Sequence, residues 1–235
     1  MSWIKRKFKA RDKNQVSNYH TIMGSSIIAN LYSTIMEQAV SAWAESQNKW
    51  ALGQADFRPK HSTVDHLVTL RVIMKESRLQ WKTLYYCFVD FRKTFDIIPQ
   101  SELWNRMMEI DMPLEYWVTI KRLYKQVKCR LKTEHGFSQH FLSNMEVKQG
   151  SPLSPTLFGL CIHKLEEVVN RVAREEGLDA PKLMQQVTLL HLYANYKVIF
   201  SYDVDGMQHI LGALEAFCQS SGLIVNVDQT KMMVV

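Results

Sequence analysis

Apolar residues recur at helical spacing through SIIANLYSTIMEQAVSAWAESQNKW, residues 26–50, which predicts a long amphipathic helix. Ser62-Thr-Val-Asp65 reads as a capping box opening a second helix that runs to about Arg78, with Leu67, Leu70 and Met74 on one face. The run TLYYCFVDF is β-branched and aromatic and ends in an acid, the pattern of a buried strand. Pro99 with Ser101, and then Pro113, open two further helices, SELWNRMMEI and PLEYWVTIKRLYKQ. A hairpin is expected about Gly136. The next helix has Ser154 as N-cap, Pro155 in its first turn and Gly177 as its stop. MQHILGALEAFCQSSG reads as an amphipathic helix closed by Gly222, followed by two short strands, LIVNV and KMMVV. This order predicts an α+β domain with an antiparallel sheet and helices on one face.

Before that last helix, two apolar runs flank a short polar step in His191-Leu-Tyr-Ala-Asn-Tyr-Lys-Val-Ile-Phe200. The pattern predicts a β-hairpin with its tip at Ala194-Asn195 or Asn195-Tyr196. Asn tolerates left-handed backbone, so the turn by itself requires no function.

Two stretches carry candidate chemistry. Asp90 ends an otherwise apolar strand, where desolvation must be offset by a hydrogen-bond network, a basic partner or a metal ion. Asp96, before Ile97-Ile98-Pro99, has a simpler role open to it, capping the turn into the next helix. In Val147-Lys-Gln-Gly-Ser-Pro-Leu-Ser-Pro-Thr-Leu-Phe158, Gly150 permits close approach of another backbone and the Ser-Pro pairs set the entry of a helix. Such a turn can hold a phosphate or a base edge, or be only a well-made helix start.

Composition narrows the classes. The 235 residues are 46% hydrophobic and 22% charged, ordinary for a globular chain able to bury a sizeable core. No apolar run approaches the roughly 20 residues that span a membrane, and the N-terminus lacks the apolar stretch of a secretory signal. Cys87, Cys129, Cys161 and Cys218 lie scattered in apolar surroundings, so buried reduced thiols and an intracellular setting are expected, with nucleus and cytoplasm not distinguished. The net charge of +6 favours polyanionic partners. Much of it comes from Lys5, Arg6, Lys7, Lys9, Arg11 and Lys13, read as a basic tail that is either solvated or in contact with nucleic acid.

The order of the stretches carries more than any one of them. NYHTIM, QADFRPKHSTVDHL, FVDFRKTFDIIP, VKQGSPLSPTLF and GLIVNVDQTKMMV follow one another as do the motifs of the reverse transcriptase domain of non-LTR (LINE-type) retrotransposons, which the chain resembles over nearly its whole length. The resemblance implies a right-hand polymerase fold. Residues 1–83 would form a fingers-like part with the basic tail, and residues 84–235 the palm with part of the fingers, in a single domain whose thumb is missing. It implies RNA-directed DNA polymerase chemistry, two-metal nucleotidyl transfer with Mg²⁺, on an RNA template and a DNA primer. By position Asp90 would be a catalytic metal ligand and Phe95 the steric gate against a 2′-hydroxyl. Gln149 and Gly150 would line the nucleotide and template pocket. Arg58 would belong to the fingers that hold the incoming strand or triphosphate.

The hairpin tip stands where the family has Tyr-Ala-Asp-Asp, and here it reads Tyr-Ala-Asn-Tyr. Asn195 and Tyr196 occupy the positions of the two lost aspartates. Asn offers one neutral carbonyl oxygen and Tyr a phenol that stays protonated near neutral pH. Asp203 and Asp205 lie too far along the outgoing strand to substitute, roughly 20–30 Å from the tip at strand rise. Other departures are His20 for a basic residue, Asp56 and Glu146 for Gly, Ser151 for Cys and Gln229 for Lys. Asp56 puts a negative charge where phosphate is expected to approach. These features imply a catalytically inactive member. The alternative is a retained non-catalytic nucleic-acid-binding or scaffold protein using the old template groove.

Overall fold

The computed structural model describes residues 2–8, 19–92, 98–125, 127–134, 136–143, 150–183, 186–193 and 196–235. Strands β1 (Ser2–Phe8) and β2 (Tyr19–Gly24) precede helices α1 (Ile27–Ser46) and α2 (Thr63–Leu79). Strand β3 (Tyr85–Asp90) leads to α3 (Gln100–Glu109) and α4 (Leu114–Tyr124), then to β4 (Val127–Thr133), β5 (Gly136–Phe137) and β6 (Phe141–Ser143). Helix α5 (Leu153–Glu175) is followed by the short strands β7 (Lys182–Leu183) and β8 (Gln186–Val187). The hairpin β9 (Leu190–Tyr193) and β10 (Tyr196–Ser201), helix α6 (Val204–Ser221) and strand β11 (Lys231–Val234) complete the order.

The central sheet is antiparallel, in the order β11-β3-β10-β9. Strict alternation along β3 sends Cys87, Val89 and Phe91 to one face and Tyr86 and Phe88 to the other. The first face packs on α5 and α6 through Phe158, Ile162, Leu165, Ile210, Leu214 and Phe217. Helix α5 is apolar on two sides, because Leu153, Leu157, Leu160 and Cys161 face a second cluster with α1, α3 and α4. Each such fully buried side chain contributes about 1.5–3 kcal/mol, so α5 is the element that joins the two halves of the core.

The second face of the sheet is covered as well. Ile73 of α2, with Leu70 and Met74 beside it, packs on Leu84, Tyr86 and Phe200. The helices therefore lie on both faces, not on one. Leu67 is not part of this contact and is 61% exposed, since the buried stripe of α2 runs through Leu70, Ile73 and Ser77. The Asp65 carboxylate accepts the Ser62 N–H at 2.7 Å, which satisfies the free donor at the start of α2.

Residues 2–8 form a strand where a basic tail was expected. β1 pairs with β2 antiparallel and with β4 parallel, in a five-stranded sheet that also holds β5 and β6. Ile4 is buried against Met23 and Cys129 and supplies the tertiary contact that outweighs the charge pattern. The hairpin expected about Gly136 forms from β4 and β5. LIVNV is not a strand: it makes one bridge, Phe91 to Val225, and crosses the end of β3. Helix α5 starts at Leu153 with Pro152 at its cap, and Ser154 lies inside the first turn. Gly222 closes α6 in the left-handed conformation expected of it, at φ 70°. All four cysteines are buried free thiols, and burial pushes the thiols of Cys87, Cys161 and Cys218 up. Among the described residues no helix is long and apolar enough to cross a membrane.

Candidate active site

Asp90 is the last residue of β3 and is 6% exposed. The segment after α6 wraps around it. Asn226 donates its backbone N–H to the Asp90 carbonyl at 2.7 Å and its side-chain amide to Asp90 Oδ2 at 2.8 Å. The Asp90 N–H reaches Thr230 Oγ1 at 3.4 Å, and Thr230 Oγ1–H donates to the Asn226 carbonyl at 2.9 Å. Of the three ways to offset a buried acid at this strand end, the hydrogen-bond network is thus present, and Asn226 carries it. Sequence reasoning missed Asn226, although a lone amide within LIVNV was a legible signal.

The register of the hairpin sets what faces Asp90. Tyr196 opens β10, pairs with Tyr193 of β9 and stands directly opposite Asp90 on β3. In an antiparallel pair, opposite side chains lie on one face about 4.5–5.5 Å apart at Cβ. The neighbour of the surviving acid is therefore a phenol, 57% exposed. The expected tip, Ala194-Asn195, lies outside the described residues, as do Phe95, Asp96 and Gln149.

The next residue of β10 changes the electrostatics. Lys197 pairs with Val89 and Leu192, so its side chain enters the core face, where it is 0% exposed. Its Nζ lies 5.1 Å from the centroid of the Phe91 ring and 5.6 Å from that of Phe158. Burial lowers its pKa from 10.5 to about 8, against the opposing charges of Asp56 and Asp90. Asp56 is itself buried, at 6% exposure, in the segment that lies along β9 through the Leu192–Gly53 and Ala55–Leu192 hydrogen bonds. The acid expected to confront phosphate instead faces inward, into the field of Lys197.

The remaining expected residues are placed as follows. Gly150 has φ 112°, and a Cβ there would lie 2.5 Å from the Met23 carbonyl oxygen, so the turn before α5 meets β2 backbone to backbone. Arg58 is held by Glu45, with Nε to Oε1 at 2.7 Å and Nη2 to Oε2 at 3.2 Å, and its Nη1 is 3.5 Å from the Ala51 carbonyl. Its guanidinium is thus committed within the protein. Asp203 accepts the Gly206 N–H at 2.5 Å as the N-cap of α6, which removes it as a surrogate for the tip.

These donors do not fit a pair of magnesium ions. Magnesium takes hard oxygen ligands, one or two carboxylates for each ion, with water and substrate phosphates completing the octahedron. Here one carboxylate, with one oxygen taken by Asn226, faces a phenol across the sheet and has a buried ammonium nearby. Among the described residues no group of three or more His, Cys, Asp or Glu could hold a metal ion.

A larger cleft, about 820 Å³, lies along the β9 edge between α2 and α5. Its wall contains His66 and His191, stacked at 4.5 Å, with Phe200 edge-on to His191 at 5.0 Å. His66 Nε2–H donates to the Gly53 carbonyl at 3.0 Å, and Glu166 accepts the N–H groups of Leu52 and Gly53 at 2.6 and 3.0 Å. The cleft is therefore partly a structural joint that holds residues 52–54 on β9. Burial, and then the charge of His66, lowers His191 to about 3, and burial also lowers His66. The unfolded chain then binds more protons than the folded one below about pH 6.5. Stability contributed by the neutral His191 is full above that pH and is lost as the pH falls toward 3, at about 1.4 kcal/mol per pH unit. His191→Phe is expected to flatten this acid slope in urea denaturation measured between pH 7 and 4.

Residues 11–234 match the family described as Reverse transcriptase (RNA-dependent DNA polymerase). A Pol polyprotein of a type-1 R2 retrotransposable element from Nasonia vitripennis is 29% identical over 156 residues, covering 66% of this chain and 14% of that protein. A type-2 R2 element Pol polyprotein from Drosophila melanogaster is 24% identical over 184 residues, covering 78% of this chain and 17% of that protein. The chain thus spans a small part of the length of these relatives. Apo telomerase from Candida tropicalis has the same fold at a TM-score of 0.67 and 11% identity, covering 98% of this chain and 46% of that one. Telomerase from Candida albicans in complex with a fragment of telomeric RNA gives a TM-score of 0.66 at 11% identity, covering 99% of this chain and 43% of that one.

Proposed function

The chain belongs to the reverse transcriptase family, as a reverse transcriptase domain of the non-LTR retrotransposon type, and from that premise we propose that its palm no longer performs nucleotidyl transfer. One observation carries this reading: the residue in register with Asp90 is Tyr196 where the family has an aspartate. The burial of Lys197 one position further supports it, because a fixed cation beneath the hairpin competes with metal for the remaining negative charge. The family depends on divalent metal ions. Deleting metal-binding carboxylates removes several kcal/mol of transition-state stabilisation, and two deletions leave little activity.

In this reading RNA template and DNA primer are the ancestral partners. Asp90 is the remaining acid of the emptied site, with Asn195 and Tyr196 at the other two positions. Phe95, Gln149 and Gly150 keep the family's residue types in the nucleotide and template pocket. Arg58 serves the fingers by bracing residues 51–58 through Glu45 rather than by touching a triphosphate. Residues 1–83 supply the fingers-like part, and β4 to β6 extend its sheet from the palm side of the chain.

Primer extension on an RNA template, with Mg²⁺ or Mn²⁺, tests the proposal. The unaltered chain is expected to add no nucleotide above background. Extension that disappears in Asp90→Asn would overturn it.

A further inference from the structure

Helix α4 ends in a run of cations beside an aromatic recess. Trp104 of α3 and Trp117, Lys121, Arg122 and Lys125 of α4 line a hollow of about 410 Å³. Its floor is fixed: Trp117 Nε1–H donates to the Trp104 carbonyl at 3.2 Å, and Trp104 is buried edge-on against Tyr124 at 5.5 Å. Its rim is charged, with Lys121 Nζ 4.2 Å from the centroid of the half-buried Trp117 ring. Among the described residues none of Lys121, Arg122 and Lys125 pairs with a carboxylate. The one acid of α4 is Glu115, in its first turn.

The helix dipole accounts for cations in a last turn. It does not account for a half-buried indole among them, packed on the core with Lys121 over its ring. Residues 117, 121 and 125 follow at one-turn intervals and so share one side of the chain's path. Further cations follow in the chain: Lys128, Arg130 and Lys132 of β4 alternate with buried Cys129 and half-buried Leu131, with Arg130 donating to His140 and Lys132 over the Trp3 ring. An aromatic face flanked by unneutralised cations is the arrangement that receives an unpaired base with its neighbouring phosphates. A duplex hides its base faces in the stack and offers none to Trp117.

We infer that the α3–α4 recess is a contact for single-stranded nucleic acid, separate from the face that carries Asp90, with a base on Trp117 and flanking phosphates on Lys121, Arg122 and Lys125. It goes beyond the family's polymerase chemistry and does not depend on it, so its test reads binding alone.

The test titrates the full chain into a labelled single-stranded oligouridine across a salt series, followed by anisotropy. Lys121→Glu with Arg122→Glu is expected to weaken binding by about tenfold or more and to lower the salt slope by about 1.4, two phosphate contacts at about 0.7 each. Lys75→Glu with Arg171→Glu, both exposed on other helices, makes the same change in net charge and is expected to weaken binding by less than about threefold. Trp117→Leu keeps an apolar side chain but no stacking face, and is expected to cost about tenfold. Equal losses from the two charge-reversal pairs would overturn the inference. So would no saturable binding by the unaltered chain, or duplex RNA bound as tightly with the same dependence on Lys121 and Arg122.

Discussion

Lys197→Met is expected to stabilise the fold at pH 7 by about 2–4 kcal/mol in chemical denaturation, because the ammonium is buried at a cost that the charges of Asp56 and Asp90 offset only in part. Methionine has nearly the volume of lysine, so no cavity opposes the gain. What changes is the charge. Asp56→Ala is expected to destabilise, since it leaves the fully buried lysine with less compensation. In the double variant that loss is expected to be much smaller, with a coupling of up to about 3 kcal/mol. A Lys197→Met variant that loses about 3 kcal/mol or more would contradict this account of the core. The pH dependence has a defined sign. The folded pKa of about 8 lies below the usual 10.5, so the penalty for burying the charge is complete below about pH 8. It is relieved as the pH rises from 8 toward 10.5, and the methionine variant lacks that rise.

The pairing of two buried charges bears on what happened to this palm. A lone buried lysine, or a lone buried aspartate, is costly in a packed core. Here Lys197 under the hairpin and Asp56 in the segment along β9 lie in each other's field. Their joint presence lets a packed core hold both charges.

Much of this architecture was legible in the pattern of apolar positions. The periodic helices, the acidic-ended strand, the hairpin at 190–201 and the left-handed stop at Gly222 are all encoded by neighbours within a few residues. The failures have a common cause, since each depended on a contact distant in sequence. Residues 2–8 carry a charge pattern typical of a tail, and only their ladders with β2 and β4 make them a strand. LIVNV has the composition of a strand, yet Asn226 is drawn to Asp90 and the ladder does not continue. Leu67 fits the helical period as well as Leu70 does, and which one is buried depends on where α2 meets the sheet.

The candidate site was legible in part. The motif order located Asp90 and the tip, and the register of β10 then placed Tyr196 against that acid. Lys197 was missed because a lysine at a strand position reads as solvent-facing until both faces of the sheet are known to be covered. Arg58, which the family pattern puts in the fingers that hold the incoming strand or triphosphate, is gripped by Glu45, thirteen residues earlier on α1.

The central claim is that the palm keeps its scaffold and has lost its metal site. Titration with Mn²⁺, followed by the loss of the free-ion electron paramagnetic resonance signal, tests it without requiring catalysis. The unaltered chain is expected to show no saturable binding at this site and no difference from Asp90→Asn. The double variant Asn195→Asp, Tyr196→Asp restores three carboxylates at the end of β3 and the hairpin tip, and is expected to bind Mn²⁺ saturably through Asp90. Saturable Mn²⁺ binding by the unaltered chain, abolished by Asp90→Asn, would contradict the account.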